Sequence, residues 1–379
     1  MLNEIKFSPT GNLRILQVSD PQDLRHVRKS MLRMLDSAYD ILRPDLVLLT
    51  GDNILGNHLL DARIGTRKVA SGREATLESM KAALKWVLDP LEKRHIPFAM
   101  IYGNHDDMNE ITKEEQMEIY RSYGCCMQGN TDNPDIDVDT YAIKCIGSDG
   151  KNRFTLFMLD SAWQDKDGKK ECHTEVKKEA VEWYISESER QREENGGKNV
   201  PAMMFLHVPF IQTEHFVRKC GRGEKNAFRS EGEWYCLNTE YATGNMGEYP
   251  SVLHNDNGLY EAVKNQKNVI AVAAGHDHLN NFTGMYEGIE FIQTGCASFR
   301  CYGNWATRGV RVIDIKEDGT YTSRFYNYFD LCGKSVPSRI AYFMDSDENE
   351  KKKFVSLGVM VIAAAAGAAA KAIVKAKKK

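Results

Sequence analysis

The chain has 379 residues, 42% hydrophobic and 27% charged, with a formal net charge of −3. That is enough apolar material for one large core or at most two domains. There is no basic excess, and no Arg/Lys stripe interleaved with aromatics, so nucleic acid is not expected as the main partner. The nine cysteines include one close pair, the vicinal Cys125 and Cys126, which is no CxxC metal or redox motif, so they read as reduced structural thiols.

The opening MLNEIKFSPTGN has no basic start and no apolar h-region, so it is not a secretory signal, and with reduced thiols this points to the cytosol. A first strand is expected over Leu13 to Val18, running into Ser19, Asp20, Pro21 and Gln22. The residue before a proline is pushed toward extended geometry, so Asp20 is expected to finish that strand and present its carboxylate at the sheet edge. Further short apolar runs follow at Leu46 to Thr50, Phe98 to Tyr102, Phe154 to Leu159, Met203 to Leu206, Val269 to Ala274 and Ile289 to Ile292. Ala75 to His95 and Glu175 to Glu193 carry apolar residues at three-to-four spacing and read as helices. The alternation implies a largely parallel α/β core, and the strand-rich stretch beyond Gly284 implies a second sheet. Pro209 to Asn257 has no clear period and reads as an elaborated loop over the site that governs substrate choice.

These readings give one domain over residues 1–344, a charged linker over 345–353 and a hydrophobic tail over 354–379. Residues 354–374 number 21, close to the ~20 that a bilayer-spanning helix requires, with lysines on both sides. The run is alanine-rich, so it reads either as a membrane anchor, which would leave the main domain cytosolic, or as a soluble or interfacial helix.

Five of the strands end alike. Asp20 follows the first, Asp52 the second within GDN, and Asn104 and His105 the third within GNHD. His207 follows a fourth, and His276 and His278 a fifth within GHDH. Singly, each is an ordinary turn or a structural histidine. Jointly, two Asp, one Asn and three His at the carboxyl ends of core strands form a cluster that would be costly without cations. Mixed N/O ligands with a carboxylate available to bridge suit two divalent ions such as Mn, Fe, Zn or Mg.

The motif order resembles that of calcineurin-like metallophosphoesterases over roughly residues 10 to 330. GDNILG, LHVPF, GHDHLNNFTG and YGNWATRGVRV are similar to the plant purple acid phosphatase 29-like branch and related fungal phosphatases. The resemblance implies an α/β fold of two packed mixed β-sheets flanked by helices, a four-layer α/β/β/α sandwich. It implies that Asp52 bridges two ions, that Asp20 and His278 bind the first, and that Asn104, His207 and His276 bind the second. The reaction would be attack on phosphorus by a metal-bound hydroxide. His105 would protonate the leaving oxygen, or else only orient the phosphate. Asp277 is expected to orient a neighbour rather than to ligate.

Two positions depart from the pattern. Leu55 stands where purple enzymes carry a tyrosine, so their ferric tyrosinate colour is not expected. Gln22 stands where the first motif ends in histidine; it ligates the first ion through its amide oxygen, holds a metal-bound water, or marks a site that has lost that ion. The remaining histidines, 26, 58, 95, 173, 215 and 254, read as surface or loop residues. The implied activity is a metal-dependent phosphoesterase, foremost a phosphatase on phosphomonoesters of small molecules or phosphoproteins. A phosphodiesterase acting on cyclic nucleotides or lipid head groups is the alternative within the class, and a metal-poor protein-binding scaffold the alternative outside it.

Overall fold

The computed structural model of the chain describes residues 3–56, 72–127, 133–164 and 172–356. Strands β1 (Glu4–Lys6) and β2 (Asn12–Val18) lead into helix α1 (Lys29–Leu42), β3 (Leu46–Thr50), α2 (Arg73–Arg94), β4 (Phe98–Ile101) and α3 (Lys113–Arg121). The hairpin of β5 (Tyr141–Ile146) and β6 (Asn152–Met158) follows, then the short pair β7 (Trp163–Gln164) and β8 (Cys172–His173), helix α4 (Lys178–Glu194) and β9 (Ala202–Leu206). Next come β10 (Val217–Lys219), β11 (Phe228–Ser230), β12 (Glu233–Leu237), β13 (Ala242–Asn245), α5 (Leu259–Gln266) and β14 (Val269–Ala274). Strands β15 (Asn281–Tyr286), β16 (Ile289–Gln293), β17 (Gly309–Lys316) and β18 (Tyr321–Asn327) precede helices α6 (Tyr328–Cys332) and α7 (Val336–Asp345).

Five strands in the order β18-β17-β2-β3-β4 form one sheet, and eight in the order β1-β5-β6-β9-β14-β16-β15-β13 form another. The strands that end in the polar motifs run parallel to neighbours: β2 with β3, β3 with β4, and β9 with β14. Strand alternation explains the layering. Leu13 and Ile15 of β2 and Leu46 and Leu48 of β3 pack against Leu156 of β6 and Met203 and Phe205 of β9 in a dry inter-sheet layer. Leu16, Val18, Val47 and Leu49 point the other way, into the core under α1, α2 and α3. Met204 and Leu206 of β9 likewise face α4 and α5. Both faces of each central strand are therefore buried, which is why these runs read as unbroken apolar segments, and the result is an α/β/β/α sandwich.

Three expectations change. The strands beyond Gly284 do not make a sheet of their own: β15 and β16 extend the eight-stranded sheet, while β17 inserts against β2, pairing Ile315 with Leu13. Pro209 to Asn257 is not an unstructured loop but holds a 3-10 helix (Ile211–Phe216), the three-stranded sheet β10-β12-β11 and edge strand β13. Residues 345–353, expected as a linker, are docked: Asp347 and Glu350 accept from the buried Arg308 guanidinium at 2.7 and 3.2 Å. No helix among the described residues is long and apolar enough to cross a membrane, and residues 357–379, most of the expected tail, lie outside them, as does His58.

Tyr141 of β5 reaches across the sandwich to the edge strand β4. Its hydroxyl accepts from Met100 N at 3.1 Å and donates to Met100 O at 2.8 Å. Tyr141→Phe leaves both buried backbone groups without that partner and is expected to cost about 1–3 kcal/mol, read as a lowered denaturant midpoint at unchanged m-value; an unchanged midpoint would show that the cross-sheet bond does not hold β4.

Candidate metal centre

The crevice forms where β2, β3 and β4 of one sheet and β9 and β14 of the other end on the same side. Each turn is tied to its neighbour before any side chain is considered. Asp20 N donates to Gly51 O at 3.1 Å, Gln22 N to Asp52 O at 3.0 Å, and Gly275 N to His207 O at 3.1 Å. His207 Nδ1 donates to Thr50 O at 3.0 Å across the two sheets, so its Nε2 faces the crevice. His278 is set the same way, Nδ1 to Tyr302 O at 2.8 Å, with its ring stacked on Tyr302 at 4.4 Å.

Asp20 is not extended. Strand β2 stops at Val18, and Asp20 has φ 50°, as Asp52 has φ 48° and His276 φ 72°. Three of the site's side chains thus leave left-handed backbone, which places each carboxylate or ring at an angle a strand would not give. The neighbouring contacts hold Asp20 there: Ser19 Oγ donates to its Oδ2 at 2.5 Å, His276 N to the same oxygen at 3.1 Å, and Ser298 N to its carbonyl at 2.9 Å.

The side chains converge. Ligand atoms of Asp20, Asp52 and His207 lie within 4.8 Å of one another. His207 Nε2 is 3.4 Å from Asp52 Oδ1 and 3.2 Å from Asn104 Oδ1, and His278 Nε2 is 3.4 Å from Asp20 Oδ1. The His276 ring meets that of His207 edge to face at 5.1 Å. Gln22, buried, donates from Nε2 to Asp52 Oδ2 at 2.9 Å. His105 is the partly exposed member, its side chain 29% accessible with Nε2 4.0 Å from Asp52 Oδ2 and its backbone N–H donating to Asp52 Oδ1 at 2.9 Å.

Electrostatics follow from burial. Desolvation opposes ionisation of both carboxylates, yet the His207 charge beside them holds Asp20 and Asp52 below the usual carboxylate range. Desolvation also pulls His207 down, but Asp52 and Asp20 outweigh it and lift that imidazole to about 9. Burial, with the charge of His207, pushes His276 down to about 4. Asp20 Oδ1 is buried and, with His278 Nε2 at 3.4 Å, makes no well-formed hydrogen bond among the described residues. An orphaned carboxylate oxygen among imidazoles fits a divalent cation, and the donor set, all O and N, suits Mn, Fe, Zn or Mg.

The family model for calcineurin-like phosphoesterases matches residues 13–280. The chain belongs to that family. It is a metal-dependent hydrolase of phosphoester bonds. Among curated proteins it is similar to the probable inactive purple acid phosphatases 28 and 29 of Arabidopsis thaliana, each 24% identical, over 82% and 83% of this chain and 77% and 80% of theirs. It is also similar to phosphatase DCR2 of Saccharomyces cerevisiae, 25% identical over 64% of this chain and 37% of that one. Among solved structures, a dimetal phosphatase from Danio rerio aligns with a TM-score of 0.48 at 11% identity, over 84% of this chain and all of that one.

Several residues that build the site, Asp277 apart, were not singled out by their sequence. Asp106 is a clamp: its carboxylate accepts from Gly103 N, Asn53 N and Ile54 N at 2.8, 3.0 and 3.0 Å, locking the GNHD turn to the GDN turn. Burial, with Asp52 nearby, pushes it up to about 7. Ser161 Oγ accepts from His207 N and Val208 N, both at 3.0 Å. Ser298 Oγ donates to Gln22 O at 2.9 Å, and the Ser298 and Cys301 carbonyls in turn accept from buried Arg308. Asp277 accepts from Ser251 N and Asn280 Nδ2, both at 3.1 Å, and so braces the covering segment. Asp106 and Asp277 carry a local signal, their places in GNHD and GHDH; Ser161 and Ser298 act over long sequence separations.

Two glycines set how closely the turns approach. A Cβ on Gly51 would stand 2.2 Å from His207 Nδ1, and one on Gly103 would stand 2.2 Å from Asp52 Oδ1 and 2.7 Å from His207 Nε2. Gly103→Ala is therefore expected to displace Asp52 and His207, destabilise the chain by about 1–3 kcal/mol and strip most of its bound metal, as measured by elemental analysis after dialysis. Retention of full metal content would show that the turns have more slack than these distances allow.

Proposed function

We propose that the chain is a phosphatase that hydrolyses phosphomonoesters of small molecules or phosphoproteins at a dinuclear centre. The observation that carries the reading is the buried convergence of Asp20, Asp52 and His207, with one Asp20 oxygen left without a well-formed hydrogen bond among the described residues. Asp52, between the two halves of the crevice, is assigned as the bridge. Asp20 and His278 serve the first ion, and Asn104, His207 and His276 the second. When bound, the two ions supply an activated water and neutralise the phosphoryl oxygens. The protein's part is to hold the ligands in place: Thr50 O and Tyr302 O fix which imidazole nitrogen faces inward. His105, the partly exposed histidine at the mouth, donates a proton to the leaving oxygen.

Asp52→Asn and His207→Ala are expected to abolish turnover of an aryl phosphomonoester under Mn, Fe, Zn or Mg. His105→Ala should lower kcat by about 10²-fold or more with bound metal nearly unchanged. Loss of metal from the His105 variant would remove it from the acid role. Turnover of diesters but not monoesters would replace the phosphatase with a phosphodiesterase, and turnover of neither, with the site empty of metal, would leave the metal-poor scaffold.

Gln22 is assigned to the first ion, as a direct ligand or as the holder of its water. Its amide already touches Asp52 Oδ2 at 2.9 Å through Nε2, and a half-turn about the last bond puts Oε1 in that place. A neutral amide oxygen donates less than imidazole, so the first ion should be the weaker bound and favour harder ions such as Mn or Mg. Gln22→His should retain that ion more tightly and shift preference toward Zn or Fe, and Gln22→Ala should loosen it. Equal metal stoichiometry and equal Mn requirement in all three would leave Gln22 without either role and favour a one-ion site.

We propose further that residues 354–374 associate with a membrane and leave the catalytic domain in the cytosol; what supports the membrane part is the uncharged run from Phe354 to Ala370 between lysine clusters.

A further inference from the structure

Helix α7 turns a ridge of apolar side chains outward. Val336, Ile340 and Met344, spaced by four and so stacked along one face, are 69%, 57% and 61% exposed, while Ser338 and Tyr342 on the other side are buried. Beside the ridge, the Phe354 ring packs on Phe343 at 6.0 Å, and a groove of about 420 Å³ opens between Trp305, Phe329, Tyr342 and Phe354. Trp305 is itself 55% exposed. A contiguous apolar surface of this kind on a chain with ample core elsewhere is a contact face.

The charges around it select the partner. Lys334 and Arg339 line the groove, and Lys351, Lys352 and Lys353 lead into Phe354. Most acids from Lys334 to Phe354 are turned inward: Asp345 accepts from Ser30 N at 2.7 Å, and Asp347 and Glu350 take the buried Arg308 at 2.7 and 3.2 Å, so Glu348 in that stretch and Asp330 beside Phe329 are the exposed acids, against Lys334, Arg339 and the three lysines. An apolar ridge within a cationic collar matches the depth profile of a bilayer with anionic headgroups. The sequence that leaves the face is uncharged from Phe354 to Ala370.

We infer that the α7 ridge, with Trp305 and Phe354, lies against an anionic lipid surface. The inference deepens the membrane reading of the tail and rests on it, adding a contact made by the folded domain. It also places the crevice. Trp305 is three residues from Tyr302, whose ring stacks on His278, and three residues span at most about 11 Å, so the lipid face borders the rim of the metal centre.

The test mixes the full chain with vesicles of phosphatidylcholine, with or without phosphatidylserine, and with brominated phosphatidylcholine, which quenches tryptophan at acyl depth. Binding should be tighter with phosphatidylserine and weaken with salt, and brominated lipid should quench an emission component that Trp305→Phe removes. Ile340→Glu with Met344→Glu should cut that quenching by about fivefold or more, at an unchanged melting temperature because both side chains are exposed. Vesicle binding with Trp305 unquenched would keep the tail's role and remove the face's; failure to bind anionic vesicles would remove both. Cross-linking of position 340 to residues 357–370 in the lipid-free chain would assign the ridge to the chain's own apolar run and overturn the inference.

Discussion

Asp20 and Asp52 stand at 0% and 1% exposure, their carboxylates converging with the imidazole of His207. Two ionised carboxylates so placed are mutually repulsive and cut off from water, and they are held ionised by the imidazoles around them, His207 above all, with His278 beside Asp20. The architecture around them resists the obvious relief, which is for the turns to move apart. His207 bonds Thr50 across the sheets, Asp106 ties two turns together, and Ser298 holds both Asp20 and Gln22 by their backbone carbonyls. The fold therefore holds two carboxylates together against their repulsion, compensated by the charge of His207 and His278 and suited to cations in the same place.

That frame extends well past the motifs. Arg308 is fully buried, and its guanidinium donates to the carbonyls of Ser298 and Cys301 on one side and to Asp347 and Glu350 on the other. Phe299 lies under the same cation at 5.0 Å. The loop that positions Asp20 and Gln22 is thus anchored through one cation to the C-terminal segment, outside the stretch that the family model covers. A buried charge of this kind demands both carboxylates, because losing one leaves the guanidinium undercompensated. The segment that follows α7 and the turn that carries Asp20 and Gln22 consequently share a support in Arg308.

What was legible in the sequence was local. A strand buried on both faces shows as an unbroken apolar run, and the polar residue that ends it stands out against that run, which is why Asp20, Asp52, Asn104, His207, His276 and His278 could be placed at strand ends and then found together. The pairing of those strands was less accessible. β17 reads as one more hydrophobic strand, and nothing in Gly309–Lys316 says that it pairs with β2, about 300 residues earlier, rather than with β16. Asp347 and Glu350 sit in a charged stretch, DSDENEKKK, whose composition is that of a linker; their burial depends on a cation 39 and 42 residues away. The left-handed backbone of Asp20 was hidden too, because the constraint imposed by Pro21 suggests extension, and the opposing hydrogen bonds come from Gly51, His276 and Ser298.

Gln22 shows how the frame and the chemistry separate. Its backbone is pinned from two directions, N–H to Asp52 O at 3.0 Å and carbonyl to Ser298 Oγ at 2.9 Å, so the path of the chain there is set by groups other than its side chain. The side chain then decides only which donor atom faces Asp52. An imidazole and an amide both reach the same space from that backbone, but one offers a borderline nitrogen and the other a hard oxygen or a hydrogen-bond donor. A change at Gln22 thus alters the donor offered beside Asp52 with little consequence for the backbone, whereas His207, held by Thr50 O across the sandwich, cannot be exchanged without losing a bond that joins the two sheets. The bonds that orient the imidazoles, Thr50 O for His207 and Tyr302 O for His278, are thus shared between frame and site on both sides of the crevice, while the side chain of Gln22 carries only its contact to Asp52.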